Sequence, residues 1–332
     1  MKPRAVYFDL DGTLLDADAR IPPAVFAAID RVKAKGVHVG IATGRRMTTT
    51  QPYGEAIGVD APCIMFNGAH VTEADFKTVL FHTTLPRTFT RAAIARALDL
   101  GFYVGAYVGE RLLIDARVTE PRAAGSALSA REVVDLLQLQ PAPVKLLFVD
   151  EPERLLELRR VLTKERLVPP GAHLVRSNPR FLELLPDGVN KGTALWRCAG
   201  HLGVDVREIV CFGDDENDRE MLENCGYAVA MGHSPDTVKA VADRVIGAND
   251  GLALAAALDV GDADAVLLAG NGALGVGVDL EQAFLRLELV EHWAKIVVAS
   301  AHLGALAPLP AEDVKKLLEA RTKAGLGRAA RR

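Results

Sequence analysis

Two carboxylates, Asp9 and Asp11, close a short apolar run in the stretch AVYFDLDGTLLD. An unpaired buried charge is costly, so a strand core ends this way only where water or something cationic meets it. Three further groups supply chemistry: Thr43, Gly44 and Arg45 in IATGR, Lys191 in NKGTAL, and Asp214 and Asp215 in CFGDDEND. Each alone has a plainer role as an Asx turn, a helix cap, a solvated charge or an acidic helix start. Together they suit phosphoryl transfer. Hard oxygens from Asp9, Asp214 and a backbone carbonyl near Asp11 match Mg²⁺. The cation neutralises clustered carboxylates and lets an anionic phosphate approach an anionic nucleophile. Asp9, first off the strand, is the expected nucleophile. Asp11 is the expected acid toward the leaving oxygen and then the base toward water. Thr43, the N–H groups around Gly44, and Lys191 would hold the remaining phosphate oxygens.

These residues must be delivered to one edge by regular elements. Residues 5–8 read as a buried strand, 22–35 as a helix with Pro in its first turn and Gly36 as its stop, and VHVGIA as a second strand. A strand–helix–strand unit implies parallel pairing. The alternation resumes with a helix over 191–202, strand EIVCF, a helix over 215–224, strand YAVAM, a helix over 234–242 and a short RVI strand. This is an α/β fold, a doubly wound parallel sheet whose ligands bind outside the carboxyl ends of its strands.

Between 85 and 183 the rhythm changes. The pattern predicts a helix over 88–99, hairpin strands in FYVGAYVGERLLID, a helix near 130–138, strand VKLLFVD, a helix over 152–165, then strands HLVRS and FLELL. Paired strands with helices read as an α+β unit inserted into the first domain, where it covers something. Expected bounds are 1–84 with 184–260 for the sheet domain, 85–183 for the insert, and 261–332 for a C-terminal, mainly helical extension.

The chain has 332 residues, 49% hydrophobic and 25% charged, with a formal net charge of −4. That is an ordinary globular balance with no footprint for nucleic acid. No apolar run reaches the roughly 20 residues of a membrane span, and Asp9 comes before any signal-like apolar core, so no secretory leader is expected. Cys63, Cys198, Cys211 and Cys225 lack metal spacing and read as reduced core thiols. The expected compartment is the cytoplasm.

The ordered motifs FDLDGTLLD, IATGR, NKGTAL and CFGDDENDREML resemble the four signatures of the haloacid dehalogenase superfamily. The insert, with FNGA and AVAMGHS, resembles the Cof-type subgroup that carries an α+β cap. The resemblance implies Mg²⁺-dependent hydrolysis of phosphate monoesters through a phospho-aspartate. It assigns the metal to Asp9, Asp11 and Asp214, phosphate binding to Thr43, Gly44, Lys191 and Asn217, and supporting roles to Asp215 and Asp218. Arg45, Asn67 and Gly68 are implied near the leaving group. His233 stands where the subgroup has Asn. The second aspartate argues against dehalogenase or phosphonatase chemistry. The expected substrate is a small phosphorylated metabolite, a sugar phosphate foremost, and Tyr103, Tyr107, Arg111, Arg122 and Arg176 of the insert are side chains of a kind to face one.

The tail resembles the end of a class II aldolase or adducin domain, with Asn271 in place of a zinc-binding His and the other ligands absent. The apolar stripe from Leu280 to Ala301 suggests packing or self-association. Two rivals to the phosphatase reading are a phosphomutase or phosphotransferase on the same aspartate, and a non-catalytic scaffold that uses the tail to associate.

Overall fold

The computed structural model describes residues 3–120, 131–168, 170–247, 252–259, 265–268 and 272–275. In chain order the elements begin with β1 (Ala5–Phe8), α1 (Pro23–Ala34), β2 (His38–Ile41), α2 (Met47–Ile57), β3 (Cys63–Met65), β4 (His70–Thr72) and β5 (Val79–His82). The insert follows with α3 (Arg87–Asp99), β6 (Tyr103–Val108), β7 (Arg111–Asp115), β8 (Arg131–Val134), β9 (Lys145–Val149), α4 (Pro152–Lys164), β10 (Ala172–Asn178) and β11 (Phe181–Pro186). The chain then returns through α5 (Lys191–Leu202), β12 (Ile209–Gly213), α6 (Arg219–Asn224), β13 (Tyr227–Ala230), α7 (Asp236–Lys239) and β14 (Arg244–Val245).

The central sheet runs β14-β13-β12-β1-β2, parallel throughout. A parallel bridge from Ala42 to Ile64 continues it toward β3, which turns back through the antiparallel ribbon β3-β4-β5. All four residues of β1 are buried, as expected of a strand covered on both faces. Tyr7 and Cys211 pack there with Leu195 and Cys198 of α5 and Met221 of α6. The α5 helix starts where a capping box fixes it: Asn190 Oδ1 accepts from Thr193 N at 2.7 Å while Thr193 Oγ1 reaches back to Asn190 N.

The insert is a second sheet, β10-β11-β9-β6-β7-β8, antiparallel except for the β7–β8 pair. Alternation along β9 decides its two faces. Leu146 and Phe148 pack with Leu155, Leu158 and Leu162 of α4. Leu147 and Val149 point the other way, joining Tyr103, Leu112 and Ile114. The helix expected near 130–138 is corrected: Arg131–Val134 is strand β8, paired with β7, followed only by a 3₁₀ turn over Leu136–Gln138. Two adjacent β-branched valines and an open sheet edge outweigh the local helical pattern. The helix expected over 215–224 divides into a 3₁₀ turn, Glu216–Asp218, and α6, because Asp215 caps a tight turn first. The α7 helix is shorter than the expected 234–242.

The first compact unit holds all of these elements except most of α1; Pro22–Arg31 belongs to the second unit. That second unit also contains α8 (Leu252–Asp259) and the antiparallel pair β15 (Ala265–Leu268) and β16 (Gly272–Gly275). The helices expected between 280 and the C-terminus, Asn271 and Arg122 lie outside the described residues. No helix among those described is long and apolar enough to cross a membrane.

Candidate active site

Asp9 is the first residue beyond β1, tied to the neighbouring strand by its N–H on the Phe212 carbonyl at 3.0 Å. The chain then turns at Gly12, whose φ is 86°, and any Cβ there would run into the Asp214 carboxylate. Thr13 Oγ1 donates to Asp214 Oδ1 at 2.7 Å, so the loops after β1 and β12 are locked together. Lys191, in the first turn of α5, is fully buried. Its Nζ lies 2.6 Å from Asp9 Oδ1 and 2.6 Å from Asp218 Oδ1. The other oxygen of Asp218 accepts the N–H groups of Asp214 at 2.9 Å and Asp215 at 3.1 Å.

Carboxylate oxygens of Asp9, Asp214 and Asp218 thus lie within 4.8 Å of one another, all on buried residues. An oxygen-only donor set of this kind fits a hard divalent cation. Of the three, Asp9 and Asp214 line the adjoining cavity, so they are the side chains that would hold Mg²⁺. Asp218 steadies Lys191 and the β12 loop. Burial pushes the Asp9 carboxyl well above the usual carboxylate range, with Lys191 pulling against it. Burial also opposes the charge of Lys191, but Asp218 and Asp9 together hold its ammonium above the ordinary lysine value. His233 Nε2 sits 3.3 Å from Asp214 Oδ2, and this contact raises the imidazole pKa.

A cavity of about 700 Å³ opens over this cluster. Asp9, Asp11, Thr43, Gly44, Arg45 and Asn217 line its floor, together with Asp214 and Asp215. Asp11 turns its carboxylate to Arg45, which grips it through Nε at 2.7 Å and Nη2 at 2.5 Å. The Asp11 side chain is therefore not part of the three-carboxylate cluster. Thr43 is held by its N–H on Ile64 O at 2.8 Å, and its Oγ1 accepts from Arg45 N at 3.2 Å. Asn67 and Gly68 are buried behind the cavity floor. Gly68 packs against the Asn190 carbonyl, where a Cβ would collide.

The insert forms the roof. Tyr107, Leu112, Leu147 and Phe181 give an apolar wall, with Arg176 and Ser177 beside it. Arg176 reaches Glu216 at 3.2 Å and Asp215 at 3.7 Å. Tyr103 is buried in the apolar cluster on this face of the sheet, and Arg111 pairs with Glu132 on the surface. Two roof residues escaped the sequence reading: Lys145 and Glu183, whose Nζ and Oε1 lie 2.6 Å apart with both side chains almost wholly buried. The available signal was one lone charge, of opposite sign, in each of the apolar strands KLLFV and FLELLP.

A profile of haloacid dehalogenase-like hydrolases matches residues 6–258. The chain belongs to that family. Among curated relatives, an HMP-PP phosphatase of Serratia proteamaculans is 31% identical over 242 residues, covering 72% of this chain and 87% of the relative. The 5-amino-6-(5-phospho-D-ribitylamino)uracil phosphatase YitU of Bacillus subtilis is 29% identical over 263 residues, covering 75% and 94%. A solved phosphatase of the haloalkanoate superfamily from Bacteroides thetaiotaomicron superposes with a TM-score of 0.64 at 25% identity, covering 78% of this chain and 94% of the other. This haloacid dehalogenase-like hydrolase is a phosphatase with a parallel α/β core and an α+β cap.

Proposed function

We propose that this phosphatase is Mg²⁺-dependent and hydrolyses small phosphate monoesters through a phosphoryl group carried on Asp9. The observation that carries the reading is the buried Asp9–Lys191–Asp218 chain, at 2.6 Å for each link, with Asp214 beside it on the cavity floor. Asp9 attacks phosphorus while the leaving oxygen takes a proton at Asp11. Water then attacks the acyl phosphate as Asp11 accepts its proton, releasing phosphate and restoring Asp9. Lys191, Thr43 Oγ1 and Asn217 hold the phosphate oxygens as charge shifts between them. Arg45 grips both Asp11 oxygens, so it must release one of them before Asp11 carries the proton for the leaving oxygen. Mg²⁺ on Asp9 and Asp214 would offset the charge that otherwise repels phosphate from the carboxylate.

In this reading residues 1–84 and 184–260 form the catalytic core and 85–183 the cap that selects the leaving group. The cavity size and the mixed polar and apolar roof support a phosphorylated metabolite carrying a sugar or sugar-alcohol portion, in line with the ribityl compound named for the Bacillus relative. The thiol pattern supports work in the reducing cytoplasm. A panel of phosphorylated metabolites, assayed for phosphate release with and without Mg²⁺, tests the proposal. Release from at least one sugar or sugar-alcohol phosphate, only with the metal, is expected; Mg²⁺-independent release would contradict it.

A further inference from the structure

The buried roof pair does more than fill space. Three donors converge on the Glu183 carboxylate: Asn67 Nδ2 at 2.8 Å on Oε2, and Lys145 Nζ at 2.6 Å and Ser177 Oγ at 2.8 Å on Oε1. An ionised carboxylate only accepts, so Asn67 must present its NH₂ to Glu183. Its oxygen is thereby turned the other way, where it accepts from Asn217 Nδ2 at 2.9 Å. Asn217 lines the cavity floor and its Nδ2 carries a second hydrogen. All three residues of this chain are buried, at 3%, 1% and 7% exposure for Glu183, Asn67 and Asn217. Gly44 makes room for the middle amide, since a Cβ there would stand only 3.0 Å from Asn67 Oδ1. Lys145 closes the arrangement by donating to the Gly44 carbonyl at 2.9 Å.

The geometry points to Glu183 as a positioning residue: carried by the cap, it fixes the direction of the Asn67 and Asn217 amides so that Asn217 presents its NH₂ to the phosphate. This deepens the phosphatase reading and rests on Asn217 serving the phosphate there. The phosphate site is then complete only when the cap strand β11 is seated on the core. A glutamine at 183 removes the constraint. Its oxygen satisfies Lys145 and Ser177, its NH₂ faces Asn67, and both amides can reverse, turning an acceptor toward the anion.

The test uses the full chain with Mg²⁺, orthovanadate binding by calorimetry, and p-nitrophenyl phosphate hydrolysis. Glu183→Gln should keep its far-ultraviolet circular dichroism and weaken vanadate binding about tenfold, the scale of one hydrogen bond to a charged group. Asn67→Gly cuts the chain in the middle and leaves the Lys145 contact on Glu183 Oε1 in place, and glycine tolerates the φ of 55° at that position. It should weaken vanadate binding to the same extent, and Glu183→Gln added to it should cost nothing more. Should Glu183→Gln alone fail to fold, it is combined with Lys145→Met so that no buried ammonium is stranded, and the same loss as in Asn67→Gly, with no further loss when Asn67→Gly is added, is expected. Additive losses, or unchanged vanadate affinity in Asn67→Gly, would overturn the inference while leaving a working phosphatase. A wild-type chain that neither binds vanadate nor hydrolyses the ester would overturn both.

Discussion

Lys191 Nζ stands 2.6 Å from Asp9 Oδ1 in a site from which the lysine has no exposed surface at all. One ammonium therefore compensates Asp9 and Asp218 together. Removing one partner of a buried ion pair costs about 3–5 kcal/mol, because the remaining charges are stranded. Lys191→Met should lower the unfolding free energy by that order and abolish phosphatase activity, as read by denaturant titration and phosphate release. The raised folded-state pKa of Lys191 means its stabilisation is fully present at neutral pH and is lost only as pH rises through that elevated value. Wild-type stability at neutral pH in the methionine variant would contradict the pairing.

The oxygen-only cluster of Asp9, Asp214 and Asp218 leads to a metal preference. Mg²⁺ and Mn²⁺ should support turnover, and Ca²⁺ should inhibit because its larger and looser shell disturbs in-line geometry. Steady-state rates after exhaustive EDTA treatment and re-addition of each ion check this. Full activity in the stripped protein would rule it out.

Arg176 spans from the roof to Glu216 and Asp215 of the β12 loop. Its side chain is 31% exposed, so the contact adds little to stability, within about 1 kcal/mol. Arg176→Ala should leave the melting temperature nearly unchanged while raising KM for a metabolite substrate several-fold. A large fall in melting temperature with unchanged KM would make it a structural strut instead.

How far the sequence led depends on where each signal lay. The α5 helix was legible to both ends, since Asn190 caps it and Gly203 stops it with a φ of 65°. Asp9, Thr43, Lys191 and Asp214 were legible because each follows an apolar strand or opens a helix at one sheet edge. The α2 helix was missed: it carries Pro52, and its start has no capping side chain of its own. Glu110, from the β6–β7 turn, accepts the N–H groups of Met47 at 3.2 Å and Thr48 at 2.8 Å instead, a contact no local pattern announces. Lys145 and Glu183 sit 38 positions apart, and only sheet register brings them to one face.

His70 and His82 meet across β4 and β5 with their Nδ1 atoms 3.0 Å apart. Burial, then the neighbouring His82, holds the His70 pKa below its ordinary value. The unfolded chain, with an imidazole pKa of about 6.5, takes up the proton first, so stability should fall as pH drops below that value. The fall should level off once pH passes the depressed folded-state value. In His70→Gln the melting temperature should decline less over the same interval. An identical decline in both proteins would remove this assignment.

In the proposed mechanism Asp9 itself takes the phosphoryl group, and rapid acid quench during turnover with fragment mass spectrometry tests this most directly. One phosphoryl group on Asp9, present only with Mg²⁺ and substrate and absent in Asp9→Asn, is the expected result. Undiminished turnover in Asp9→Asn, or a phosphoryl group found on Asp11 instead, would contradict the account.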